Sequence, residues 1–182
     1  MSFKQLPLER ANRLINHGPT ILVSSGSKDE ANIMTAAWCM PASLKPPMIA
    51  VAIGPTRHTH KLIIKSGEFA VNIPGKNLLK ELWCCGTNSG KNEDKFALCG
   101  LTPVEGNHIK IPLIKECLGA IECRLDSHPT AGDHSIIVGE VLAVWAKPDV
   151  FKDRFKVEDF KTLHHLGGKE FCLPGKVVRI QV

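Results

Sequence analysis

The run Gly54-Pro55-Thr56-Arg57-His58-Thr59-His60-Lys61 gathers hydroxyls, imidazoles and cations into eight residues. It follows a buried-strand pattern, Met48–Ile53, and opens a helical one, His58–Ser66, with Thr56 or Thr59 as the helix cap. Free backbone amides at a helix start point toward a bound anion, and charged side chains strengthen such contacts, so this stretch suits a phosphate dianion. It reads equally as a solvated helix start with ordinary surface charge. A second loop, Thr87-Asn88-Ser89-Gly90-Lys91, runs into Asp94-Lys95-Phe96 and offers a hydroxyl, a glycine and a cation to the same anion. Such loops are also common on any surface. Neither is a Walker loop, and no G-x-G-x-x-G occurs, so ATP hydrolysis and a Rossmann dinucleotide site lack support.

A third cluster, Asn32-Ile33-Met34-Thr35-Ala36-Ala37-Trp38, carries little side-chain bulk along its middle. Small residues let a flat ligand reach the backbone; the competing reading is a strand crowded against another wall of a barrel. Together the three clusters describe a planar ligand with a phosphate tail. Gly132-Asp133-His134 sets a carboxylate beside an imidazole, either as proton relay or ring contact, or as a turn Asp and a surface His. No G-x-S-x-G elbow exists, which leaves a hydrolase without a nucleophile.

These clusters need a scaffold of short strands. Strand-like runs cover Thr20–Ser24, Ala31–Trp38, Met48–Ile53, Glu68–Ile73, Leu118–Leu125, Ser135–Ala146 and Lys176–Val182. Turns or loops separate them at Gly26–Asp29, Pro41–Pro47 and Pro129–Asp133, the last joining two strands as a hairpin. Helical spacing appears at Pro7–Asn16, His58–Ser66, Asn77–Trp83 and Glu93–Leu98, with Cys84–Asn92 as a loop, while the charged stretch Phe151–Phe160 belongs on the surface. Strands outnumber brief helices, so a closed antiparallel barrel with helical decorations is predicted rather than a doubly wound sheet.

The 182 residues fit a single domain, 1–182, and a charge of +5 spread along the chain suits a small anion better than a duplex backbone. Tyr is absent and aromatics are 5%, which argues against base-stacking surfaces, so no nucleic-acid partner is expected. Apolar runs fall far short of the ~20 residues of a membrane helix. No basic start leads into an apolar segment, so no secretory signal or membrane association is expected. Seven cysteines without regular spacing argue against a disulfide framework and for a reducing cytoplasm. No C-x-x-C occurs, and adjacent Cys84 and Cys85 are ill placed to share one tetrahedral ion. No metal is therefore expected, and most cysteines read as small buried apolar residues.

The ordered set resembles a known family. Asn32-x-Met34-Thr35-Ala36-x-Trp38 is followed by Pro46-Pro47-Met48-Ile49-Ala50-Val51, Thr59 with Leu62-Ile63, and Gly67 through Pro74. Ser89-Gly90-Lys91 with Asp94-Lys95-Phe96, Gly132-Asp133-His134 with Val138-Gly139-Glu140-Val141, and Leu166-Gly167-Gly168 continue it. Over residues 18–175 this resembles the flavin reductase-like, FMN-binding split-barrel family, in its flavoredoxin and archaeal-type ferric reductase branch. The resemblance implies a mainly β fold, a Greek-key antiparallel split β-barrel with a few short helices, forming a homodimer with FMN near the interface. By position, Ala36, Ala37 and Trp38 would line the isoalloxazine, and Arg57, Thr59, His60, Ser89 and Lys91 would hold the phosphate. Asn72 would lie near the ring or ribityl chain; Asn32, Thr35, Gly54 and Gly90 complete the cofactor-binding set. His134 and the His164–Gly168 segment would approach the site, His134 being the one catalytic candidate. The chain departs from the family where His164 or His165 replaces a frequent Tyr, and where Phe171 stands two places past the usual aromatic.

The implied activity is FMN-dependent oxidoreduction. Reducing equivalents would pass from NAD(P)H or a protein donor to flavin, ferric iron or another acceptor, so a redox protein or a small molecule is the implied partner. The alternative is an FMN electron carrier without small-molecule turnover; a metal-binding, non-flavin structural protein comes last.

Overall fold

The computed structural model describes residues 5–27 and 30–180. A 3-10 turn leads into α1 (Ala11–Ile15), and then β1 (Ile21–Ser25), β2 (Asn32–Ala36), β3 (Cys39–Leu44) and β4 (Pro47–Ile53) follow. Helix α2 (His58–Ser66) precedes β5 (Glu68–Ile73), α3 (Leu79–Thr87) and α4 (Lys95–Leu98). The second half holds β6 (Pro103–Val104), β7 (Leu113–Ile114), β8 (Gly119–Ser127), β9 (Thr130–Ala131), β10 (His134–Ala146), β11 (His164–Gly167) and β12 (Glu170–Cys172). The main sheet is antiparallel in the order β2-β1-β5-β8-β10-β4-β3, with β9 paired to β10. It curls into a half-barrel whose path ends at β2 and β3, so the mainly β split-barrel expectation holds, while the closed barrel is corrected: the two end strands do not pair with each other among the described residues.

Strand β1 is buried along its whole length because each face meets a different core. Ile21 and Val23 turn inward with Val51, Ile53, Ile63, Phe69, Val71 and Ile137. Leu22 points the other way, toward Ile33, Leu82, Phe96 and Ile114 beneath α3 and α4. This is the period-2 geometry of a strand applied to two apolar layers. Burying each of these side chains stabilises the fold by about 1.5–3 kcal/mol. Gly139 interrupts β10 because the ring of Phe69 fills the space where a side chain would stand; the β8–β10 register shifts beside it.

Several local expectations are corrected. Residues 41–47 were expected to form a loop, yet β3 pairs with β4 from Cys39 to Leu44, its register shifting between Pro41 and Ser43. Pro41 fits because β3 lies at the sheet edge, where one side of the backbone needs no ladder bonds. Helix α3 continues through Gly86 to Thr87, whose hydroxyl donates to Trp83 O at 2.8 Å, so the following loop starts later than expected. No strand forms at residues 176–180, where Val178 and Ile180 are exposed: alternation without a neighbouring edge makes no ladder. The same prediction continues over residues 181–182, and the predicted turn at 26–29 includes Lys28 and Asp29; these four lie outside the described residues.

The cysteines bring another correction. Cys84 and Cys99, 15 residues apart, form a disulfide with Cα atoms 5.9 Å apart. Packing α4 against the end of α3 creates this pair, a tertiary proximity that spacing in sequence does not reveal. Cys39, Cys85, Cys117, Cys123 and Cys172 remain thiols. Burial pushes Cys39 up to about 11 and Cys123 to about 12, which keeps both protonated and inert near neutral pH. Cys39 donates to Pro19 O at 3.6 Å and packs against the inner core, as the packing reading anticipated.

Candidate functional site

Strand β2 forms one wall of a cleft of about 450 Å³. Its Thr35 and Ala36, with Ala37 and Trp38 just after it, line that wall, and Gly54, Arg57, His58 and Thr59 line the cleft from the start of α2. Cys85, Gly86, Asn88, Ser89 and Gly90, from α3 and the loop after it, complete the lining. Helix α3 approaches β2 this closely because Gly86 has no side chain: a Cβ there would stand 3.3 Å from Thr35 Cβ and Oγ1. Thr35 then anchors the helix by donating to Leu82 O at 2.6 Å.

Lys95 completes the anchoring. Its side chain is buried at the cleft floor and donates to Ile33 O and Cys85 O, each at 2.8 Å. It ties the backbone of β2 to the last turn of α3. Burial pushes its pKa below the usual lysine range, against a weaker upward pull from Cys85.

Asn32 links the two ends of the cleft. Its Nδ2 donates to Thr59 Oγ1 at 2.8 Å, while its buried Oδ1 has no hydrogen-bond partner among the described residues. Gly90 lies so close to that oxygen that a Cβ there would overlap it. Helix α2 begins at an N-cap, Arg57, whose extended backbone carries no side-chain cap, and its first turn has no acidic residue. Neither threonine caps it as expected: Thr59 lies in the first turn, with its hydroxyl committed to Asn32. The first amides of α2 therefore keep the donor capacity that capping side chains usually consume.

The guanidinium groups of Arg13 and Arg57 line the cleft together with the buried Lys95, with no Asp or Glu among its lining residues. Arg13 reaches it from α1, packing on Gly167 and donating to Leu166 O at 3.2 Å. At the rim the Trp38 and His134 ring centroids lie 4.9 Å apart, and His134 Nδ1 meets Asp133 Oδ1 at 2.7 Å. That contact holds the exposed Asp133 carboxyl below its ordinary range.

Comparison with known proteins is consistent with this architecture. Residues 13–168 match the flavin reductase like domain. The chain belongs to that family. An uncharacterized protein of Archaeoglobus fulgidus is 43% identical to this flavin reductase like domain protein over 153 residues, 84% of this chain and 85% of the relative. A flavoredoxin of Desulfovibrio vulgaris (Miyazaki F) superposes with a TM-score of 0.82 at 30% identity, covering 90% of each chain. An FMN-binding domain of a flavin reductases-like enzyme from Shewanella baltica OS155 gives 0.83 at 29% identity, covering 97% of this chain and 96% of that one.

In this flavin reductase like protein the cleft unites Asn32, Thr35, Ala36, Ala37, Trp38, Gly54, Arg57, Thr59, Ser89, Gly90 and His134. Other predicted residues stand elsewhere. Asn72 is fully buried and donates to Leu22 O and Ser24 Oγ, both at 3.1 Å, while its Oδ1 accepts from Ile114 N at 2.9 Å. It joins β1, β5 and β7. His60, one residue further round α2 than Thr59, turns to Ser135 Oγ at 3.0 Å, edge-on to His128. Desolvation, with some help from His128, lowers its pKa. Lys91 lines a separate hollow with Glu30, Asn92, Phe96 and Lys110. At the C-terminal hairpin His165 lines the cleft, whereas His164 donates from Nδ1 to His17 O at 2.6 Å and meets Thr162 Oγ1 through Nε2 at 2.9 Å. Lys95, Arg13, Asn88 and Gly86 were not predicted as cleft residues. The Asp94-Lys95-Phe96 motif was the available signal for Lys95, since Asp94 caps α4 by accepting from Phe96 N and Ala97 N. Among the described residues no helix is long and apolar enough to cross a membrane.

Proposed function

We propose that this single-domain protein is an FMN-dependent oxidoreductase that carries reducing equivalents from a reduced nicotinamide or a protein donor to an acceptor such as flavin or ferric iron. One observation carries the reading: a cleft with a wall of small residues whose charged lining is Arg13 and Arg57, without a carboxylate. That lining suits a flat anionic molecule and disfavours a cationic one.

The residues fit FMN group by group. Ala36, Ala37 and Trp38 offer a surface to a planar ring, and the uncapped first turn of α2 with Arg57 offers donors to a phosphate. Ser89 and Gly90 line the same cleft. FMN when bound supplies hydride and electron chemistry, and the chain supplies orientation and electrostatics. His134, held by Asp133 against Trp38, closes the rim where a donor or acceptor would enter.

The family's named relatives support the same reading: one is called a flavoredoxin and another an FMN-binding domain of a flavin reductases-like enzyme. We place the protein in the cytoplasm as a homodimer. The edge strand β3, with Met40 60% and Leu44 89% exposed, and the apolar residues Val178 and Ile180 support pairing with a second copy.

The test is a titration of the purified protein with FMN, followed by absorbance and flavin fluorescence. Stoichiometric binding is expected, and a protein that neither carries nor takes up FMN refutes the reading. Stopped-flow mixing of the loaded protein with NADH or NADPH then separates enzyme from carrier. Bleaching by either is expected of the enzyme; bleaching by neither, with reduction by a protein donor, assigns the carrier.

A further inference from the structure

Four cysteines, Cys84, Cys85, Cys99 and Cys117, belong to one core cluster beneath the cleft. The Cys84–Cys99 bond closes a ring of chain around the end of α3, the following loop and α4. Every cleft residue contributed by this part of the chain, namely Cys85, Gly86, Asn88, Ser89, Gly90 and Lys95, lies between the two bonded sulfurs. The loop itself has weak internal support. Asn92 N donates to Ser89 O at 3.3 Å and Lys91 N to Ser89 Oγ at 3.4 Å, and most of its residues are exposed. Its position over Asn32 thus depends on its two ends. One end is joined to the other by the disulfide, and Lys95 ties both to β2.

We infer that Cys84 and Cys99 form a reversible thiol–disulfide site that controls cofactor affinity, the bonded form holding FMN tightly and the dithiol form releasing it. This rests on the FMN reading above. The co-reactant is a dithiol reductant. Its thiolate attacks Cys84, the half-buried partner, because Cys99 is only 8% exposed. The Cys84–Cys99 bond breaks, Cys99 leaves as a thiolate and takes up a proton, and a mixed disulfide joins Cys84 to the reductant. The second thiolate of the reductant displaces Cys84, which is protonated in turn. The net change is two electrons and two protons to the protein and one new disulfide in the reductant.

Neighbouring thiols do not short-circuit this exchange. Burial, with smaller contributions from nearby charges, pushes Cys85 up to about 11 and Cys117 to about 12, so neither supplies a thiolate near neutral pH. Cleavage frees the ring to open. The Gly90–Asn32 contact and the Lys95 anchor are then held without the disulfide cross-link between α3 and the end of α4.

The experiment titrates FMN into the full chain, anaerobically, in the oxidised form and after reduction with dithiothreitol. Thiols are counted in denaturant. Oxidised protein is expected to show five thiols and reduced protein seven. Reduction is expected to weaken FMN binding on the order of tenfold, the scale of an ordinary coupling between sites, and reoxidation to restore it. A Cys84→Ser/Cys99→Ser double variant is expected to bind at the weak level and ignore dithiothreitol. Equal affinity of the two wild-type forms, or seven thiols after oxidation, overturns the inference without touching the functional reading. The wild-type comparison decides even if the variant fails to fold. Absence of FMN binding in both forms removes the functional reading and the inference with it.

Discussion

Gly90 rests directly on the amide of Asn32, with no room for a side chain between them. The contact joins the loop after α3 to the first residue of β2, and through Asn32 Nδ2 it reaches Thr59 at the start of α2. Three segments remote in sequence thus meet through one buried amide.

Gly90→Ala follows from that contact. The added methyl must displace Asn32 or lift the loop, and overpacking of this kind costs about 1–3 kcal/mol. The loop is exposed, so the displacement is expected to fall on the cleft more than on the fold. FMN affinity measured by fluorescence quenching should drop at least several-fold, with Tm lowered by about 2–4 °C per kcal/mol of that cost.

Arg57 is exposed, precedes the first turn of α2 and lines the cleft. Arg57→Ala is expected to weaken FMN binding by about 1.5–3 kcal/mol, the range for a hydrogen bond to a charged group. Arg57→Lys should recover part of the loss, since it keeps charge but not the planar fork. Unchanged affinity by isothermal titration calorimetry removes Arg57 from the site.

Lys95→Met keeps an unbranched stem, one heavy atom shorter, but deletes the ammonium that makes both bonds. The carbonyls of Ile33 and Cys85 lose their ammonium partner, and an unsatisfied buried group costs about 1–3 kcal/mol. Urea unfolding should show a lower midpoint at unchanged slope. FMN affinity should fall too, because the same bonds hold β2 against α3.

Glu122 predicts an acid limb of stability. It is fully buried and accepts from the backbone N–H groups of Asn107, His108 and Ile109 and from Trp145 Nε1. Burial raises its pKa, but those donors outweigh burial and leave it lowered. A lowered carboxyl contributes stability that is fully present above its unfolded value, about 4.3, and is lost as pH falls through the folded value below that. Trp145→Phe removes one donor, so the acid-unfolding midpoint followed by circular dichroism should move to higher pH. Glu122→Gln should unfold more easily at pH 7 and lose part of the acid dependence.

The strand character of β1, β5, β8 and β10, the bare wall from Thr35 to Trp38, and the two cation-bearing loops were legible from residues alone. These are local signals: a strand repeats every two residues, and amides at a helix start need no partner to be recognised. Which residue of each cluster faces the cleft was a matter of three-dimensional packing. Thr59 and His60 are adjacent, yet about 100° of helical rotation separates them, so one meets Asn32 and the other Ser135. Asn72 carried a family position but serves three strands from the core, because it is there that unpaired backbone groups needed it. Lys95 and the Cys84–Cys99 bond depend on contacts between α3, α4 and β2, elements joined by packing rather than by spacing along the chain. Periodicity assigns a residue to a face; only the closing of one element on another selects its partner.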